Sequence, residues 1–171
     1  MLKTRTSGAI GSGTALIAAL LCLPAPAHAA TVSGTLNLSA TVTANCTVST
    51  SALAFGNVDT ISGSDFDGTG GITVTCTNGT DWSAAAGVGS GSGASFAGRR
   101  MASGGNLLGY NLYTSSAYST VWGDGTASTG LLSGTGTGTA QAVTVYGRVG
   151  SGQTGVPAGS YADTVAVTVT Y

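Results

Sequence analysis

The chain contains no glutamate, one lysine (Lys3) and one histidine (His28), and charged residues make up only 6% of its 171 positions against a usual ~25%. Most side chains that hold metals or carry out acid–base catalysis are therefore missing. Their absence speaks against an enzyme, a metal site or any other cofactor. Basic residues are confined to Lys3, Arg5, Arg99, Arg100 and Arg148, too few for the surface that phosphate-backbone binding needs, which excludes nucleic acid as a partner. Long apolar runs are missing too. Residues 15–23 (ALIAALLCL) are the best candidate, and a membrane span needs about twenty, so no transmembrane segment is expected in the mature chain. What the chain has in excess is glycine, 29 residues, or about 17% against a usual ~7%.

The first residues read as an address. Lys3 and Arg5 give a positive start, residues 15–23 an apolar core, and Ala27-His28-Ala29 a small-x-small cleavage site, the three parts of a secretory signal peptide spanning residues 1–29. Cys22 lies inside the apolar core behind Leu21, the wrong setting for a lipid-modified cysteine. Cleavage leaves one domain, residues 30–171, with Arg99, Arg100 and Arg148 against six Asp. Its two cysteines, Cys46 and Cys76, form an even pair in an exported chain, and a disulfide is the default reading. Closing a loop of that length stabilises the fold by roughly 3 to 4 kcal/mol on the chain-entropy account. For a glycine-rich chain with a floppy unfolded state, that matters.

Strand patterns fill the rest. In residues 32–48 every even position is apolar or small and every odd one is Ser, Thr or Asn, a period of two without a break. The closing residues 161–171 alternate likewise, with Tyr161, Val165, Val167, Val169 and Tyr171 on one face. Residues 52–58, 72–76, 82–88, 107–113 and 142–149 read as further strands, while the Gly/Ser/Thr-rich runs 62–71, 87–98, 123–138 and 150–159 read as loops. An all-β sandwich is expected. The first pattern is too long for such a domain. Seventeen residues extend to roughly 56 Å, whereas a globule of this size is roughly 35 to 40 Å across. The segment either bends near Ala40 into two ordinary strands or projects, and a projecting apolar strand is an aggregation hazard unless another chain accepts it.

Seven stretches stand in a fixed order: Ala44-Asn45-Cys46-Thr47-Val48, Leu53-Ala54-Phe55-Gly56-Asn57-Val58-Asp59, Ile72-Thr73-Val74-Thr75-Cys76, Leu108-Gly109-Tyr110-Asn111-Leu112-Tyr113, Trp122-Gly123-Asp124-Gly125-Thr126, Tyr146-Gly147-Arg148-Val149 and Gly159-Ser160-Tyr161-Ala162-Asp163-Thr164-Val165. Together they resemble the spore coat protein U domain family, a domain shared with pilins of the archaic chaperone–usher pathway. Gly150 departs from it, since similar sequences often place proline there. The resemblance implies an incomplete immunoglobulin-like sandwich, completed by a donor strand from a neighbouring subunit. It makes residues 30–40 the donor extension, with Val32, Leu36 and Leu38 inserting. Val165, Val167, Val169 and Tyr171 would then border the groove and meet the chaperone. The implied partners are a periplasmic chaperone, an outer-membrane usher and neighbouring copies of itself or related pilins. The implied function is a structural subunit of a surface pilus, serving adhesion and biofilm formation in a Gram-negative bacterium.

Two other functions stand beside it: a secreted spore-coat or matrix protein, and a carbohydrate- or surface-binding adhesin module using exposed Trp82, Trp122 and Tyr118. Smaller features have plain readings. Asp65-Phe66-Asp67-Gly68 lacks the further ligands of a calcium loop and is expected to be a turn, and Arg99-Arg100 a solvated loop pair.

Overall fold

The structure, a computed structural model, describes residues 27–171. The charged start and apolar core of the expected leader, with Cys22, lie outside the described residues. The chain divides into two compact units, Met1–Ser39 and Ala40–Tyr171. In the first, residues 27–39 form no strand, and Val32, Leu36 and Leu38 are exposed.

The second unit contains eight strands among the described residues: β1 (Cys46–Ser51), β2 (Phe66–Cys76), β3 (Asp81–Ala86), β4 (Arg99–Ser103), β5 (Asn106–Tyr113), β6 (Leu132–Thr135), β7 (Gln141–Val149) and β8 (Val167–Thr170). They form a five-stranded sheet in the order β1-β2-β7-β5-β4 and a three-stranded sheet in the order β6-β3-β8, antiparallel throughout. No helix occurs among the described residues. Alternation sets what each strand buries: Ile72, Val74 and Cys76 from β2, Trp82, Ala84 and Ala86 from β3, Leu108, Tyr110 and Leu112 from β5, Val145 and Val149 from β7. The small Ala84 and Ala86 leave room for Trp122, whose indole N–H donates to the Ala84 carbonyl at 2.9 Å.

Several expectations need correction. The unbroken pattern of residues 32–48 enters a ladder only at Cys46, and residues 32–44 belong to no strand among the described residues. Residues 52–58 form no strand. Instead Leu53 and Phe55 lie against the five-stranded sheet where glycine clears a path: a Cβ at Gly70 would sit 2.9 Å from Leu53 Cβ, and one at Gly147 2.8 Å from Leu53 Cδ1. Gly70, with Gly68 and Gly71, makes part of β2 look like loop, yet β2 begins at Phe66, and Phe66–Val74 pairs residue by residue with β7. Asp67, read as part of a turn, is thus in a strand. Arg99-Arg100, expected as a solvated loop pair, instead opens β4, β6 lies within the expected loop 123–138, and the closing strand shrinks to Val167–Thr170 after an isolated bridge between Ala102 and Ala162. Trp82 and Trp122 are 4% and 2% exposed, so neither serves as a surface platform; bulky aromatics in this small domain fill the core.

Candidate partner-binding groove

An open groove of about 1100 Å3 runs between the two sheets. Its floor is the inner face of the larger sheet, with Ile72, Met101, Leu108, Leu112 and Val145, together with Trp122. One rim is residues 50–61 and the other residues 156–165 with Val167. Neither rim is paired along its full length. Among the described residues, β8 pairs with β3 on one side and with no strand on the other, the residues before it make one bridge, from Ala162 to Ala102, and residues 52–58 belong to no ladder. An apolar trough between two such edges has the form of a sheet lacking one strand, and it can take an extended segment by backbone pairing with alternate side chains buried.

Two of the expected groove-edge residues, Val165 and Val167, line it. Val169 packs against the core without lining the groove, and Tyr171, past the end of β8, is 56% exposed. Cys46 and Cys76 form the disulfide, Cα to Cα 4.1 Å, joining the first residue of β1 to the last of β2. Close by, Asn45 and Thr77 exchange hydrogen bonds: Asn45 N–H donates to Thr77 Oγ1 (3.1 Å) and Thr77 N–H to Asn45 O (2.9 Å).

The charged groups behind the groove escaped the sequence reading. Arg99 is 0% exposed. Its guanidinium donates to the carbonyls of Gly87 and Trp122 (2.7 Å each) and to Asn111 Oδ1 (2.7 Å), and it lies over the Phe96 ring. Asn111 in turn donates to Phe96 O at 2.8 Å. Asp163, on the groove wall, accepts from the Tyr110 hydroxyl (2.6 Å), from Ser90 N–H (2.7 Å) and Ser90 Oγ (2.6 Å), and from Thr164 N–H (2.7 Å). Burial raises the Asp163 pKa, but these hydrogen bonds outweigh it and hold the carboxyl below its usual range. Burial and the adjacent Asp163 push the Tyr110 hydroxyl up, and burial lowers Arg99. One signal was available in the sequence: Arg99 and Met101 share a strand face, and Arg100 takes the other.

On the outer face of the larger sheet, Arg148 binds Asp67 (2.7 Å) and Asp65 (3.2 Å) and stacks 3.8 Å over Tyr118. These aspartates are therefore taken by a cation of the chain itself. No cluster of three or more metal-ligating side chains occurs among the described residues.

Fold and groove together define an incomplete immunoglobulin-like β-sandwich. The chain belongs to the Spore Coat Protein U domain family, whose sequence model matches residues 32–168. It is 37% identical over 180 residues to Protein U of Myxococcus xanthus, with 95% of this chain and 99% of that protein covered. Its fold matches a chain in the crystal structure of the CsuC–CsuE chaperone–tip adhesion subunit pre-assembly complex, from the archaic chaperone–usher Csu pili of Acinetobacter baumannii. The TM-score is 0.55 at 22% identity, over 77% of this chain. This chain spans 40% of that one, and the likeness is one of fold.

Proposed function

We propose that this protein is an exported structural subunit that polymerises by strand donation, residues 30–40 of one copy filling the groove of the next. The observation that carries the reading is the pairing of an apolar groove between two unpaired edges with a segment of the same chain whose Val32, Leu36 and Leu38 are 99%, 83% and 84% exposed. These three share one face of an extended chain, and each large side chain fully buried contributes roughly 1.5 to 3 kcal/mol. Before assembly, a periplasmic chaperone covers the groove by pairing with β8 and the residues leading to it, Val165 and Val167 included. An outer-membrane usher then exports the growing fibre. The structural neighbour, a chaperone–subunit complex from chaperone–usher pili, supports that route. The product is a surface pilus serving adhesion and biofilm formation, and the role is structural rather than catalytic.

A second reading, a secreted spore-coat or matrix protein, is favoured by one observation, the match to Protein U along 95% of this chain and 99% of that one. The two share the groove and differ in the assembly built from it.

Leu36→Asp and Leu38→Asp place a charge in an apolar groove, where an unpaired charge is very costly. Electron microscopy should show no fibres for either. A pull-down should recover their periplasmic chaperone complexes intact, because the chaperone then occupies the groove. Thr35→Asp, on the opposite face, should assemble nearly normally. Normal fibres in both Leu variants contradict strand donation by this segment. Loss of the chaperone complex would instead assign Leu36 and Leu38 to the subunit's own core.

A further inference from the structure

Two sequence motifs, residues 108–113 and 159–165, lie far apart in the chain and meet at one bond, from the Tyr110 hydroxyl to Asp163 Oδ2. The position of Asp163 gives this bond its interest. Ala162 bridges to Ala102 at the edge of the five-stranded sheet, whereas β8 belongs to the three-stranded sheet. Asp163 therefore stands where the chain crosses between sheets and forms groove wall. Its carboxylate is held from two further directions, by Ser90 in the loop after β3 and by Tyr110 in β5. The loop passes close enough at Gly89, which has φ +93, that a Cβ there would collide with the carboxylate. Behind Tyr110, the adjacent Asn111 is fixed by Arg99.

We infer that the Asp163–Tyr110 pair is a latch that keeps the groove open, making both positioning residues for an incoming strand; the inference rests on the strand-accepting reading of the groove. The apolar floor of Met101, Leu108 and Leu112 favours inward movement of the wall, because closure removes apolar surface from water. Asp163 opposes that movement. A shift of the wall would strip its hydrogen bonds and carry a bare carboxylate toward an apolar surface. The opening is thus held by a charged group anchored to the two elements beside it, with Arg99 and Asn111 keeping β5 in register behind.

The test compares Tyr110→Phe, which deletes only a hydroxyl, Asp163→Asn, which keeps the shape, and the double variant. All are made in the processed protein in a Leu36→Asp background that holds the chain monomeric. Hydrogen exchange reads the latch, and the uptake rate of a synthetic peptide with the sequence of residues 30–42 reads its consequence. In both single variants the amides of β8 should exchange at least about ten-fold faster, with β2 and β7 unchanged. Peptide uptake should fall by a similar factor, and the double variant should be no worse than Asp163→Asn, since the pair acts as a unit. Unchanged β8 exchange in both single variants overturns the latch. So does faster exchange spread equally over β2 and β7, which would mark a general loss of stability. A parent protein that takes up no peptide overturns the strand-accepting reading itself, and the latch's purpose with it.

Discussion

Arg99 carries its charge into the interior, while the ion pairs among the described residues belong to Arg148. What satisfies Arg99 is the carbonyls of Gly87, just past β3, and of Trp122, with the amide oxygen of Asn111 in β5, so the residue ties the end of β3 to the larger sheet behind the groove. Replacing it by Met leaves several buried acceptors without donors. Arg99→Met should lower stability by at least about 3 kcal/mol. Arg100→Ala, on the exposed face of the same strand, should stay within about 0.5 kcal/mol. Chemical denaturation of both measures the contrast, and equal effects would contradict it. Acid tests the carboxylates. Asp67, chiefly through its hydrogen bond from Arg148, and Asp163, whose hydrogen bonds outweigh burial, both have pKa values held below 3.8. A group depressed in the folded state contributes stability that is fully present above its unfolded pKa and is lost as pH falls through its folded pKa. Urea unfolding should therefore be nearly flat between about pH 5 and pH 7 and weaken below about pH 4. Asp163→Asn should flatten part of that acid slope. At this scale the sequence was least readable: two adjacent arginines look alike until a strand sends one inward.

The groove is shaped at the level of elements by a segment that has strand pattern without being a strand. Residues 52–58 alternate much as β1 does, but Leu53 and Phe55 are drawn onto the larger sheet by the bare backbone at Gly70 and Gly147. Gly147→Val should therefore displace this rim and destabilise the fold by about 1 to 3 kcal/mol. Gly150→Ala, whose Cβ would meet nothing within 4 Å, should be near neutral. Limited proteolysis around Leu53 with a denaturation curve for each variant checks both, and a rim left protected in Gly147→Val would contradict the account. The same glycines explain which strands were legible. β3, β5 and β7 match the runs 82–88, 107–113 and 142–149, read as strands from their Val, Thr and aromatic content, to within one or two positions. The first half of β2 is Phe66-Asp67-Gly68-Thr69-Gly70-Gly71, where glycine makes room for a crossing segment that no local pattern announces. β6 is hidden in a Gly/Thr run for a related reason: Gly134 lies under the Trp82 ring, where a Cβ would sit 2.8 Å from Cζ2.

At the scale of the whole molecule, residues 32–44 carry strand alternation yet join no ladder among the described residues. The sequence made that excess visible as a length too great for one straight strand of the domain, and the resemblance implied a groove bordered by the closing strand. What it left open was the course of the second rim and the buried network that holds the first. The disulfide fastens the start of β1, just beyond that segment, to the end of β2. Cys46→Ser with Cys76→Ser should cost about 3 to 4 kcal/mol and make residues 46–51 the first strand to exchange with solvent. A loss spread evenly over all strands would contradict that placement.

The central claim is that residues 30–40 of one copy lie in the groove of another. The most direct measurement places a benzophenone photo-crosslinker at Leu36 in fibres grown from a mixture of isotopically heavy and light subunits, and reads the linked peptides by mass spectrometry. Strand donation predicts links to residues 50–61 and 156–167, with heavy–light pairs at the frequency expected for different copies. Links found only within a single copy, or only to residues outside the groove, would contradict it.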